Sequence, residues 1–185
     1  MNIILDEPPR KVWIGGDSYE LNTDFRLGLK FFRLIRDNEF SDEERAETAL
    51  RMFFKKLPSP ENLGAALEAM LDFIHCSEKP RDDADGKKVF DFDVDANRIY
   101  AAFLQVYGID LNQTDMHWWR FMALLNGLPD GTKLSQVMSI RDQDVPKQTT
   151  ENGRYIERLR RMKAVYSLET QEDVERKVIN IFDRW

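Results

Sequence analysis

A mainly α-helical globular fold with a short N-terminal β-hairpin is what this sequence predicts, and three observations predict it. Apolar residues recur at three- and four-residue spacing through most of the chain. Ser, Thr, Gly and Pro punctuate those runs where helices start and stop. One early stretch instead carries two short β-favouring runs around a Gly-Gly pair. The periodicity counts about seven helices. The expectation is a single domain over 1–185, with two alternatives held open: a subdivision at the polar loop 78–89, and the C-terminal helices of 153–185 as an appendage.

In chain order, Val12-Trp13-Ile14 and Tyr19-Glu20-Leu21 flank Gly15-Gly16-Asp17-Ser18 and read as a hairpin, with Pro8-Pro9 keeping the preceding residues out of a helix. From Thr23 the period becomes helical, with Phe25, Leu29 and Phe32 on one face and Leu27, Phe31, Leu34 and Ile35 widening it. Ser41-Asp42-Glu43-Glu44 spells a capping box, followed by a stripe of Ala46, Ala49, Leu50, Phe53, Phe54 and Leu57. Pro58-Ser59-Pro60 ends that helix and starts the next, with Ser59 as N-cap and Leu63, Leu67, Met70 and Ile74 along one side. Residues 78–89 are polar and turn-rich.

The stretch Phe90–Arg141 is the most informative. Its first helix carries Ile99, Phe103 and Val106 with Tyr100, Leu104 and Tyr107, and Gly108 ends it. Thr114 is expected to cap the second, where Trp118, Trp119, Phe121, Met122, Leu124 and Leu125 leave almost no polar face. The core is expected to centre on Phe103, Trp118, Phe121, Met122 and Leu125. After the turn Pro129-Asp130-Gly131 come a short helix with Leu134, Val137 and Met138, a polar connection over 142–153, a stripe of Tyr155, Leu159, Met162 and Tyr166, and a last stripe of Val174, Val178, Ile181 and Trp185 behind Thr170.

Composition bounds the function. Apolar residues are 42% and charged residues 32%, a globular balance rather than a disordered one. The net charge of -6 argues against a duplex-binding domain. Cys76 is the only cysteine, so no internal disulfide forms. The start lacks the pattern of a signal peptide and no apolar run reaches membrane-spanning length, so an intracellular, soluble protein is expected.

Residues able to carry chemistry are sparse. Asp91, Asp93 and Asp95 are spaced like the start of a calcium loop, but the positions needing glycine and a bidentate glutamate hold Ala96 and Ala102. Asp93 or Asp95 as a helix cap, with Phe90, Phe92 and Val94 anchoring an entering strand, is the better account. His75-Cys76 and the distant His117 lack zinc spacing; a structural histidine beside a small buried thiol is favoured over a Cys–His nucleophile. Trp118-Trp119 reads as core rather than as a stacking platform. Arg154, Arg158, Arg160, Arg161 and Lys163 read as the solvated face of an amphipathic helix, with phosphate binding the alternative.

The residues Asp91-Phe92-Asp93, Tyr107-Gly108-Ile109-Asp110-Leu111, His117-Trp118-Trp119-Arg120-Phe121, Gly127-Leu128-Pro129 and Ile140-Arg141 resemble a bacteriophage family, the gene-product-fifteen family of long-tailed phages. The hairpin followed by Thr23-Asp24-Phe25-Arg26 fits as well, so the resemblance runs from about residue 2 to about residue 168. It implies a tail-module protein of a phage or prophage in the host cell cytoplasm, resembling the tail assembly chaperones. Those hold the tape-measure protein soluble until tail-tube subunits polymerise around it. The motif residues are structural; the resemblance implies no catalytic residue, metal or cofactor. Expected partners are the tape-measure protein, the tail-tube protein and other copies of the chain. The alternatives are a tail or head–tail connector component retained in the virion and, from a different class, a small hydrolase using Cys76 or a carboxylate.

Overall fold

The computed structural model describes residues 2–77, 88–149 and 152–168. Among them the fold is mainly α-helical, with a two-stranded antiparallel sheet near the N-terminus. The strands are β1 (Lys11–Ile14) and β2 (Asp17–Glu20). The helices are α1 (Phe25–Leu34), α2 (Asp42–Phe53), α3 (Leu63–Ile74), α4 (Ala96–Tyr107), α5 (Trp118–Asn126), α6 (Lys133–Asp142) and α7 (Gly153–Val165). The stripe behind Thr170 lies outside the described residues. Contacts cluster into two units. One comprises Met1–Asp82 with Ile109–Gly127, the other Asp83–Gly108 with Leu128–Trp185.

In the first unit the hairpin closes through Gly15-Gly16 alone. Ile14 pairs with Asp17, so Asp17 and Ser18 belong to the strand rather than to the turn. Both glycines have positive φ, +59° and +93°, which is what a tight hairpin loop requires and what side chains with a Cβ resist. The strand exit then ties to α2. Leu21 bridges Phe54, the Asn22 N–H donates to the Phe53 carbonyl at 2.7 Å, and Asn22 Nδ2 donates to Met52 O at 2.9 Å. Carbonyls at the end of α2 are thereby satisfied. At its other end the capping box forms in both directions, Glu44 N–H to Ser41 Oγ at 3.2 Å and Ser41 N–H to Glu44 Oε2 at 2.8 Å. Those bonds, the backbone one first, hold the Glu44 carboxyl below its ordinary pKa. Between Ser59 and α3 the chain makes one 3-10 turn, Pro60–Asn62, and Ser59 gives no side-chain cap bond.

The phase of two helices differs from the expected one. On α1 the buried side is Phe25, Gly28, Phe31 and Leu34, and Leu29 is half-buried. On α3 it is Ala66, Met70, Phe73 and Ile74, while Leu63 and Leu71 are exposed. On α1 the smallest residue marks the contact. A Cβ built on Gly28 lies 2.3 Å from Cε3 of Trp118, so α1 meets α5 where glycine leaves room for an indole. Gly28→Ala is expected to cost about 1–3 kcal/mol by overpacking, read as a lower midpoint in urea denaturation. An unchanged midpoint would mean the indole moves aside freely.

The first-unit core is largely aromatic. Phe25 stacks on Phe121 at 4.9 Å between centroids, Trp118 on Phe121 at 5.7 Å, and Phe53 meets Phe31 and Phe73 edge-on. In the second unit Ile99, Ala102, Phe103, Leu134, Val137, Ile156 and Leu159 are buried. The expected single centre is therefore corrected. Phe103 belongs to one unit, Trp118 and Phe121 to the other, and Met122 and Leu125 are only half-buried. Helix α5 has nine residues and packs chiefly against α1, so its C-terminal half is not enclosed. On α7 the buried residues are Ile156 and Leu159, whereas Tyr155 is 55% exposed.

Candidate functional site

The residues singled out from the sequence gather at two places. The first is an ionic lock in the second unit. Asp95 is fully buried and lies at the N-terminus of α4, and Arg141 is buried in the last turn of α6. The Arg141 guanidinium grips the carboxylate with both ends, Nη1 to Oδ2 at 2.6 Å and Nη2 to Oδ1 at 3.0 Å. Arg98 Nη1 adds a bond to Oδ1 at 2.9 Å, and the Asp91 N–H donates to Oδ2 at 3.1 Å. Arg141 spends its other donors on Val89 O at 3.0 Å and Tyr166 O at 2.6 Å. Asp91 is itself buried; its Oδ1 accepts from the N–H groups of Asp93 and Val94, and its Oδ2 accepts from Lys88 Nζ.

This arrangement corrects the expected cap. Asp95 stands at the cap position but gives no side-chain cap bond, because both its oxygens are turned to Arg141 and Arg98. Nor do Phe90, Phe92 and Val94 form a strand; they lie in coil and turn, Phe90 and Phe92 meeting edge-on at 4.8 Å. Asp91 and Arg141 thus serve one structure, and Asp95, which sequence reasoning weighed only as a calcium ligand or cap, is its centre. Asp93 is exposed and contributes its backbone N–H. Among the described residues no group of three or more His, Cys, Asp or Glu is arranged to hold a metal ion.

The second place is His117-Trp118-Trp119. Thr114 does not cap α5; His117 does. Its Nδ1 accepts from the Trp119 N–H at 3.1 Å, and Nε2 lies 3.0 Å from Pro9 O. An Nδ1 that accepts carries no proton, so Nε2 carries it and donates to Pro9. The Thr114 carbonyl, and that of Leu111, instead receive Arg26 Nη2 at 3.1 and 2.7 Å. The two indoles then bond successive carbonyls at the end of α3: Trp119 Nε1 to Phe73 O at 2.8 Å and Trp118 Nε1 to Ile74 O at 2.9 Å. Both belong to the last turn of α3, whose carbonyls lack intrahelical partners; Phe73 O also accepts from the Cys76 N–H at 3.1 Å. A short bridge between Asp24 and His117 aligns the starts of α1 and α5, through Phe25 N–H to Met116 O and Trp118 N–H to Thr23 O.

Burial, first, and the positive charges of Arg10 and Arg120 hold the His117 pKa below its ordinary 6.5, against the raising effect of the Pro9 bond. Protonation would also set an Nδ1 proton against the Trp119 N–H. With the folded value depressed, the unfolded chain takes up the proton first. Stability is full above about pH 6.5, falls as pH drops below it, and levels off below the folded value. His117→Asn keeps a capping acceptor without a titration. Melting midpoints from pH 7.5 to 5 are expected to fall less for the variant than for the parent; parallel curves would refute the linkage.

Beside His117 lies an open cleft of about 460 Å³. Arg10, Thr23 and Asp24 line one part of it, and Thr114, Asp115, Met116, Arg120 and Leu124 the rest. Sequence reasoning found its wall, His117, but not its arginines, since residues over a hundred positions apart give no local signal.

The remaining motif residues are joints. Gly108 takes φ +67° where α4 ends after Tyr107. Asp110 accepts from Asn112 N–H and Gln113 Nε2. Leu128 is half-buried, and the carbonyl of Pro129 receives the Thr132 N–H at the start of α6. His75 is exposed and Cys76 only half-buried, so the expected buried thiol is corrected; both Cys76 and Ser77 have positive φ as α3 unwinds. On α7 the four arginines are exposed, but Lys163 is half-buried and donates to the Arg141 carbonyl. No helix among the described residues is long and apolar enough to cross a membrane.

The family described as bacteriophage Gp15 protein matches residues 4–168. No curated protein and no solved structure matches the chain.

Proposed function

The chain belongs to the bacteriophage Gp15 family, and from that premise we propose that it is a non-enzymatic tail assembly protein, a chaperone that keeps the tape-measure protein soluble until the tail tube forms. The observation that carries the reading is where the polar groups of the motif go. Asp91, Asp95, Arg141, His117, Trp118 and Trp119 are buried and bonded to the protein's own backbone and side chains. None is left with free acceptors or donors in the way a nucleophile or general base would be. The same motif therefore specifies a scaffold.

A scaffold that holds a helix-rich client needs apolar contact surface rather than a reaction centre. Ile4, Leu5 and Trp13 of the first unit are 89%, 80% and 77% exposed, far beyond what packing uses. Such side chains suit a partner with an apolar face, here the tape-measure protein, with tail-tube subunits displacing the chaperone in the host cytoplasm.

Co-expression with the neighbouring tape-measure gene tests this. The expected result is a soluble tape-measure protein that co-purifies with the chain, and a chain absent from purified particles by mass spectrometry. A client that stays insoluble and does not co-purify defeats the proposal. A chain found in particles at fixed stoichiometry replaces it with a virion component.

A further inference from the structure

The cleft beside His117 contains two guanidinium groups that the fold does not use. Arg10 precedes β1 and Arg120 lies in the first turn of α5; both line the cleft and both are exposed. Neither guanidinium has a hydrogen bond or ion pair with another described residue. Both lie close enough to His117 for their charge to disfavour its protonation. Thr23 lines the same cleft and is only 7% exposed. Its hydroxyl has no partner among the described residues, yet it is not sealed from solvent, a condition that among them falls on Arg45 Nε. A buried hydroxyl opening onto a cleft between two unpaired cations is arranged for an acceptor from outside.

The carboxylates in the cleft do not fill that role. Asp24 caps α1 through the Arg26 N–H and lies 3.1 Å from the Arg26 guanidinium. The side chain of Asp115 is fully exposed, 3.9 Å from the same guanidinium. We propose that the cleft binds a single carboxylate carried on a polypeptide, held by Arg10 and Arg120 and by a hydrogen bond donated from the Thr23 hydroxyl. Met116 and Leu124 give the methylene groups of such a side chain an apolar wall. Asp24 and Asp115 select against a polyphosphate. Successive phosphates would be driven against them, whereas one carboxylate, with a cation nearby in the ligand, meets both signs of charge in place. The net charge of -6 acts in the same direction.

The proposal rests on the cleft residues and not on the identity of the client above, so its failure leaves the co-expression result untouched. The probe is a short blocked peptide with one Glu and one Lys, and its twin with Gln in place of Glu. Binding to the full chain is read from the Arg side-chain Nε–H and His117 ring resonances. The Glu peptide is expected to shift them, with its Gln twin weaker by about tenfold or more. Arg10→Gln and Arg120→Gln should each weaken the Glu peptide by about tenfold without moving the melting midpoint, since neither side chain holds the fold. Thr23→Val should weaken it several-fold. Equal affinity for both peptides, no binding of either, or arginine variants that bind as the parent does would each overturn the proposal. So would duplex DNA that displaces the peptide with a steep salt dependence and the same arginine requirement, which would mark a phosphate site instead.

Discussion

Asp95→Ala is expected to lower stability by about 3–5 kcal/mol, because it removes one partner of a buried ion pair and leaves the other. Arg141 is 7% exposed, and without Asp95 its guanidinium would retain only the carbonyls of Val89 and Tyr166. Asp95→Asn should fare little better. The native carboxylate accepts four bonds, from Arg98, from both ends of Arg141 and from the Asp91 N–H, and an amide NH2 would turn donors against donors. The paired change Asp95→Leu with Arg141→Met should recover much of the loss, since an apolar pair leaves no buried charge. Three of the four tryptophans, Trp13, Trp118 and Trp119, lie in the first unit, so tryptophan fluorescence reports mostly on that unit. Amide hydrogen exchange in α4 and α6 reports the second unit directly. An Asp95→Ala protein within about 1 kcal/mol of the parent would mean the lock is solvated or dispensable.

Trp118→Ala should cost a comparable about 3–5 kcal/mol, the range for emptying a buried aromatic site. The loss has three sources: the stacking on Phe121, the bond to the Ile74 carbonyl at the end of α3, and the surface against Gly28. The third can be isolated. Gly28→Ala collides with the indole in the parent but has nothing to strike once the indole is gone. Its cost should therefore shrink to near zero, or become a gain, in the Trp118→Ala background. Denaturation midpoints of the four proteins settle it. Additive costs would show that α1 and α5 do not meet through this pair.

The site was legible in the sequence only as far as its local chemistry reached. Gly15-Gly16 announced a hairpin, because few other residues accept positive φ twice in succession, though not that the pair alone closes it. Ser41 and Glu44 announced a capping box because both partners lie within one helical turn. Gly108 announced a helix end for the same reason. Thr114 was the natural cap by residue type, yet His117 took the position, since its second ring nitrogen found Pro9, more than a hundred residues away. The buried side of α1 was misplaced because the hydrophobic pattern weights large residues, whereas the contact is made where a glycine admits an indole.

What the sequence by itself determined is a helical chain with an early hairpin, the start and stop of most helices, and membership of a phage family through residues 4–168. Those follow from side-chain period, from backbone limits on Gly and Pro, and from motif order, all of which act over a few residues. The tertiary structure alone decided that Asp95 answers Arg141, that two tryptophans end α3, and that Arg10 and Arg120 share a cleft. A charge, an indole N–H or a guanidinium is satisfied by whatever the fold brings within 3 Å or so, and separation along the chain carries no record of that.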